Sequence, residues 1–219
     1  MMTTETRRTF LKTMAAAAVV PEACAMADQS RNDEKSVSFG LFADTHYADI
    51  PPSHGSYNRD SLVKLQQALE TFNKRKVPFV VELGDFIDGQ PEIEEELHYL
   101  REFNELFKMF NGKRHYVLGN HCVTTLPKKQ FIKVIESDYE YSFYSFDLGP
   151  GHFIVLDANF RKDGVAYEPG NFTWTDTALS DKEIDWLADD TKQAKGKPTV
   201  AFIHQCLDCE HSSHGVKNA

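Results

Sequence analysis

The sequence carries no basic block. Its 24 Lys and Arg are outnumbered by 33 Asp and Glu, for a formal net charge of -9. That balance excludes broad capture of nucleic-acid phosphates or of an anionic membrane surface. A phosphate-bearing substrate would have to meet its positive charge locally, and metal ions can supply it. Long apolar runs are missing too, so no segment is expected to span a bilayer or to act as a stable membrane anchor. Internal repeats and low-complexity tracts are absent. Cysteine is scarce, with four in 219 residues. What is present is a chain of 41% hydrophobic and 12% aromatic residues. It is long enough for one domain with a substantial core, and its composition is globular rather than disordered.

The first residues read as an address. "TRRTFLK" (Thr6 to Lys12) precedes the small, apolar "TMAAAAVV" and then "PEACAMA". A charged start, an apolar centre and an A-x-A site make a secretory signal. Arg7-Arg8 followed by Phe10, Leu11 and Lys12 resembles a bacterial twin-arginine signal. Cleavage is expected after Ala27, with Ala25 as the alternative. The expected organisation is a signal over 1–27, a linker over 28–36 and one domain over 37–219. The expected location is periplasmic or secreted, with the twin-arginine export machinery as a partner. Glu22 stands where a lipoprotein signal wants a small residue, so Cys24 is not expected to carry lipid. Cys122, Cys206 and Cys209 then remain, an odd number in an oxidising compartment. One disulfide and one thiol fit that number, and spacing alone does not choose the pair.

Hydrophobic periodicity divides the rest. Val37 to Ala43 reads as a buried strand. Residues 59–76 place Leu62, Leu65, Leu69 and Phe72 at helical spacing, with Asn58, Asp60 or Ser61 as its cap. Val77 to Asp85 is the next strand. Ile93, Leu97, Leu100, Phe107 and Phe110 share one helical face, with Pro91 in its first turn and Asn111-Gly112 at its end. "RHYVLGNH" is a third short strand, and "PKKQFIKVIES" a short helix. "YSFYSFDLGPGHFIVLDAN" predicts a hairpin turning near Gly149 to Gly151. Ser180 and Glu183 form a capping box before Ile184 and Leu187, and Gly196 stops that helix. "PTVAFIHQC" is a last buried strand. The alternation β-α-β-α-β, hairpin, α-β places the chain in the α/β class.

Four of these apolar strands end in polar residues: "FADTH" (Asp44, His46), "LGDFID" (Asp85, Asp88), "LGNH" (Asn120, His121) and "FIHQ" (His204). Carboxyl ends of strands gather along one edge of an α/β sheet, where ligands bind. Asp, His and Asn donors collected there suit a divalent cation of the zinc, manganese or iron kind. Gly84 and Gly119 precede their ligands, as a tight strand-to-loop turn requires.

Asp44-Thr45-His46, Gly84-Asp85-Phe86-Ile87-Asp88, Gly119-Asn120-His121 and the lone His204 resemble, in order, the calcineurin-like metallophosphoesterases. The resemblance covers Val37 to about Gln205. "YADIPPSHGSYNRDSL" and "GNFTWTDTALSDKEIDWL" are similar to the subgroup near the ADP-ribose and CDP-alcohol diphosphatases. The resemblance implies an α/β/β/α sandwich of two mixed sheets. It implies two divalent metal ions (Mn, Fe or Zn): Asp44 and His46 bind the first, Asp85 bridges, and Asn120 and His204 bind the second. His121 would face a small phosphorylated, possibly nucleotide-like substrate, as general acid or as donor to a phosphoryl oxygen. A water shared by the cations would attack phosphorus in line, hydrolysing a phosphoester or pyrophosphate.

The sequence departs from the pattern in two places. The family's later G-H-x-H, with one imidazole for each metal, does not occur before Ala219, so the domain is expected to be incomplete there. A non-catalytic or defective fragment of such an enzyme is therefore the rival reading. His211 and His214 offer an H-x-x-H as a substitute. Gln205-Cys206 follows His204 where the family often has proline. Plainer readings stand beside the chemical ones. Asp88 either caps a turn or supports the ligands from behind. His54, His98, His115 and His152 read as surface or packing residues. Cys206 and Cys209 with His204 and His211 form an alternative small zinc site. Tyr57 and Arg59 either orient a phosphate or are solvated, and Trp174 and Trp186 read as packing residues. A haloacid-dehalogenase chemistry is disfavoured, because its nucleophilic D-x-D would need Asp where His46 stands.

Overall fold

A computed structural model describes residues 36–53, 55–171, 173–207 and 215–218. The expected signal and almost all of the expected linker, with Cys24, His54, Cys209, His211 and His214, lie outside the described residues. No described helix is long and apolar enough to cross a membrane.

Strands β1 (Gly40–Phe42), β2 (Phe79–Glu82) and β3 (Lys113–Tyr116) form one sheet in that order. Both of its pairings are parallel. Strands β4 (Tyr144–Leu148), β5 (Gly151–Val155) and β6 (Thr199–Phe202) form the other. Here β4 and β5 are antiparallel and β5 and β6 parallel. Among the described strands, then, the first sheet is parallel throughout and the second is mixed. Helix α1 (Ser61–Arg75) joins β1 to β2, α2 (Ile93–Phe107) joins β2 to β3, α3 (Lys128–Val134) lies between β3 and β4, and α4 (Asp181–Gln193) between β5 and β6.

The layering follows from the two-residue period of strands. On β2, Phe79 and Val81 face the second sheet, where they meet Phe153, Val155 and Phe202. Val80 points the other way, into a cluster with Leu65, Leu69, Leu100, Phe103 and Phe131 of α1 to α3. On β5, Ile154 turns away from the first sheet, toward Ile184 and Leu187 of α4. The order is therefore α1–α3, sheet, sheet, α4: the expected α/β/β/α sandwich. Strands buried on both faces are mostly apolar on both, and β2 (FVVE) and β5 (GHFIV) follow this except at Glu82 and His152.

Several boundaries differ from the periodicity. The first strand joins the sheet only at Gly40; Val37 and Phe39 instead fill the space between the sheets, with Phe39 stacked on Phe79 at 5.0 Å. The expected 59–76 helix opens as a 3-10 turn over Asn58–Asp60 and has no side-chain cap. It stops at Lys76, which is left-handed at φ 54°. Helix α2 begins after Pro91 and ends at Phe107, yet Phe110 remains in the core. The Ser180 cap is as expected, its hydroxyl accepting from the Glu183 N–H at 3.2 Å. Trp186 packs against Phe143, but Trp174 is a correction: it is 52% exposed, on a loop outside any helix or strand. His115 and His152 are buried and His98 is on the surface, as packing and surface residues should be.

Candidate metal centre

The loop after β1 runs beside the loop after β2. Asp44 N–H donates to Gly84 O (3.0 Å), His46 N–H to Asp85 O (2.8 Å) and Tyr47 N–H to Phe86 O (2.9 Å). These bonds extend the parallel pairing past the strands and place two motifs side by side. Asp44 (φ 54°), His46 (φ 42°) and Asp85 (φ 57°) are all left-handed. Each such residue costs roughly 1–3 kcal/mol, and non-glycine residues hold this conformation mainly where the surroundings over-determine it. The two motif glycines exist for close approach. A Cβ on Gly84 would lie 2.7 Å from Gly119 N and 2.8 Å from His204 Nδ1. A Cβ on Gly119 would lie 2.1 Å from Asp85 Oδ1.

Asp85 sits at the centre and is buried. Its Oδ1 accepts the His121 backbone N–H at 2.8 Å. Its Oδ2 is 3.2 Å from His204 Nε2 and 3.7 Å from His46 Nε2. Ligand atoms of Asp44, Asp85 and His204 lie within 4.8 Å of one another, and so do those of His46, Asp85 and His121. Asp85 belongs to both groups. Asp44 and His46 also approach each other, at 3.8 Å. Asn120 lies at the turn between Gly119 and His121 and is half-buried. All six motif residues are thus carried by four adjoining loops at the carboxyl ends of the strands. A cleft of about 720 Å³ lined by His115, Tyr139, Tyr144 and Phe146 includes none of them.

The imidazoles are aimed by their second nitrogens. His204 Nδ1 is 3.0 Å from Leu83 O, so it carries a hydrogen, and Nε2 is turned to Asp85. His121 Nδ1 is 2.8 Å from Asp88 Oδ1, and His46 Nδ1 is 3.8 Å from the same oxygen. Asp88 therefore supports the cluster from behind and is not a turn cap. Burial raises the Asp85 pKa, but the His204 hydrogen bond and charge, with His121, outweigh it and hold the carboxyl low. Asp88 is held low by its His121 hydrogen bond and by the nearby His46 imidazole. The Asp88 bond raises His121. Burial lowers His204, but the Asp85 hydrogen bond and charge, with Leu83 O and Asp44, together outweigh it and the net shift is upward. Carboxylates and imidazoles packed this tightly are complementary to a divalent cation, and the donor set is of the nitrogen and oxygen kind that manganese, iron and zinc accept.

Arg59 is engaged by the Asp49 carboxylate, and Tyr57 is exposed. His204 turns its ring nitrogens to Leu83 and Asp85, and Cys209 and His211 of the alternative small zinc site lie outside the described residues. Cys122 is a buried free thiol, so Cys206 is not bridged to it. Two contributors escaped the sequence reading. Asn58, taken as a cap, donates to His46 O (2.7 Å) and Asp88 Oδ2 (3.4 Å). Glu82 is fully buried beneath the loops and accepts the Gly84 N–H at 2.8 Å; burial pushes its pKa well above the usual range. A carboxylate inside the apolar run "FVVE" was the one signal for it.

Residues 37–218 match the calcineurin-like phosphoesterase family. Relatives include manganese-dependent ADP-ribose/CDP-alcohol diphosphatases of Oryza sativa (34% identical over 57% of this chain and 42% of that one) and Arabidopsis thaliana (31%, over 54% and 41%). A third, of Bos taurus, is 34% identical over 64% of this chain and 38% of its own. The matched region thus spans about two fifths of the length of these relatives. A solved dimetal phosphatase from Danio rerio superposes with a TM-score of 0.65 at 21% identity, over 78% of this chain and 70% of that one, which is a likeness of fold. With the family matched over residues 37–218 and its four motifs gathered around Asp85, the chain belongs to the calcineurin-like phosphoesterases.

Proposed function

We propose that the chain is a metal-dependent hydrolase of phosphoesters or pyrophosphates. In this reading Asp44 and His46 hold one divalent cation, Asn120 and His204 a second, and Asp85 both. The observation that carries it is the single oxygen, Asp85 Oδ2, lying within 4 Å of imidazole nitrogens from two different strand ends, His46 and His204. When bound, such a cation pair supplies Lewis acidity that polarises a phosphoryl oxygen and acidifies water. The chain's own residues do the rest. Asp88 fixes the His121 ring through Nδ1 and favours its imidazolium form, in which Nε2 carries a hydrogen for a leaving group or phosphoryl oxygen. Asn120 is a neutral donor, so it adds no negative charge beside an anionic substrate. The names of the relatives support manganese and a small nucleotide diphosphate as substrate. The test is hydrolysis of bis(4-nitrophenyl) phosphate and of ADP-ribose by the manganese-loaded chain. Turnover that is abolished by Asp85→Ala is expected. Manganese binding without turnover of either compound would favour a non-catalytic protein.

We also propose export by the twin-arginine route, which carries folded cargo and so suits a metalloprotein. Arg7-Arg8 and the small-residue segment support it. Replacing both arginines with lysine should leave the precursor in the cytoplasm of a bacterial host, read by fractionation. Normal export of that variant would reject the route.

A further inference from the structure

We propose that Asn159 is a positioning residue that sets the distance between Asn120 and His204; this rests on the metal-centre reading above. Asn159 lies beyond the end of β5 and is fully buried. Its Nδ2 donates to Leu118 O at 2.9 Å and to Asp157 Oδ1 at 2.8 Å. Its Oδ1 accepts from Gln205 Nε2 at 2.9 Å. Both amide hydrogens are used and the oxygen meets a donor. The reversed amide would face oxygen with oxygen and nitrogen with nitrogen, so the orientation is fixed.

The partners are what give this side chain its task. Leu118 belongs to the exit of β3 in the first sheet and leads directly into Gly119-Asn120. Gln205 belongs to the exit of β6 in the second sheet and follows His204. One buried amide thus joins the two sheets at the level of the site, one or two residues from each proposed ligand. Gln205 Oε1 has no partner among the described residues, so Asn159 holds that side chain. Asn159 is itself held. Asp157 accepts its backbone N–H at 2.9 Å, and Asp157 is in turn bound by Lys128 (2.6 Å) and Ser142 (2.5 Å). Glu183 of α4 accepts the Asp157 N–H at 2.8 Å. Between the two sheets lies an apolar cluster, and apolar contact is non-directional; further polar contacts between them include the His204–Leu83 bond and those of the Tyr144 hydroxyl with His115 and the Tyr116 N–H. A metal site needs its donors placed to within about 0.5 Å, and directional bonds across the sandwich supply that precision. The same contact explains Gln205: a proline there would have no amide to reach Asn159.

The experiment is manganese titration by calorimetry on the parent chain, Asn159→Ala, Gln205→Leu and Ser142→Ala, with Asn120→Ala marking the isotherm of the second ion. Asn159→Ala and Gln205→Leu should weaken that ion by roughly 10–100-fold, the usual effect of losing an outer partner of a ligand. The other ion should change far less. Ser142→Ala loosens Asp157 without touching either loop and should lower the melting temperature with the ratio of the two affinities unchanged. Gln205→Leu keeps two of the three Asn159 bonds and so serves if Asn159→Ala does not fold. Unchanged affinities in both variants, or equal weakening of both ions, would overturn the positioning role alone. A parent chain that binds no manganese would overturn the metal-centre reading and this role with it.

Discussion

At the scale of single residues, roles separate by what each side chain touches. Asp85 stands between two imidazoles, whereas His121 reaches the cluster with its ring held by Asp88. Asp85→Ala should therefore lose most bound manganese and His121→Ala little, while both lose activity; elemental analysis of the two purified variants reads the difference. Equal metal retention would contradict the assignment. Gly119→Ala is the sharper steric test, since its Cβ would fall 2.1 Å from Asp85 Oδ1 and 2.3 Å from Asp85 N. Neither atom can retreat without moving the bridge. The cost should be about 1–3 kcal/mol with weakened manganese binding, measured by urea denaturation and calorimetry. Asp44, His46, Asp85, Asn120, His121 and His204 were all legible from their places after apolar runs. Asp88 was half-legible, because spacing alone does not tell a turn cap from a partner of His121.

At the scale of elements, the hairpin and α4 are tied by a buried imidazole. His152 on β5 lies between Asp147 Oδ1 (2.9 Å) on β4 and Asp190 Oδ2 (2.7 Å) on α4, and Lys197 holds the other Asp147 oxygen. Burial lowers the His152 pKa, but the two carboxylates more than reverse it and the net shift is upward. A raised folded pKa means that this stability is fully present below the ordinary histidine pKa of about 6.5. It is lost as pH rises through the folded value. The urea stability difference between the parent and His152→Gln should accordingly be largest near pH 6 and shrink toward pH 9. Its size should be roughly 1–3 kcal/mol, as for hydrogen bonds to charged groups. A difference independent of pH would remove the imidazolium from the account. The α4 cap at Ser180 was readable because a capping box is a local motif. The start of α1 was not, since Asn58 turns from its own helix to His46 and Asp88.

At the scale of the whole molecule, the proposed ligands come from both sheets: Asp44, His46, Asp85 and Asn120 follow strands of the first, and His204 follows β6 of the second. Cations bound across the sandwich would oppose its opening. Manganese at about 100 times its Kd should add about 2.7 kcal/mol of stability, seen as a rise in melting temperature that a chelator reverses. No shift with manganese, in a chain that binds it, would mean that the ion binds the unfolded chain as well as the folded one.

The sequence by itself determined the order of strands and helices, because two-residue and helical periods are local. It also determined the motif residues, because each follows its own apolar run. The tertiary structure alone decided which partner each side chain takes. Asp88 meets His121 across 33 positions, Asn159 meets Leu118 across 41, and Gln205 meets Asn159 across 46. Such meetings depend on strand order, register and the stacking of one sheet on another. No spacing in the chain encodes these. Trp174 shows the same limit from the other side: an aromatic residue reads as core, and the fold leaves this one half exposed.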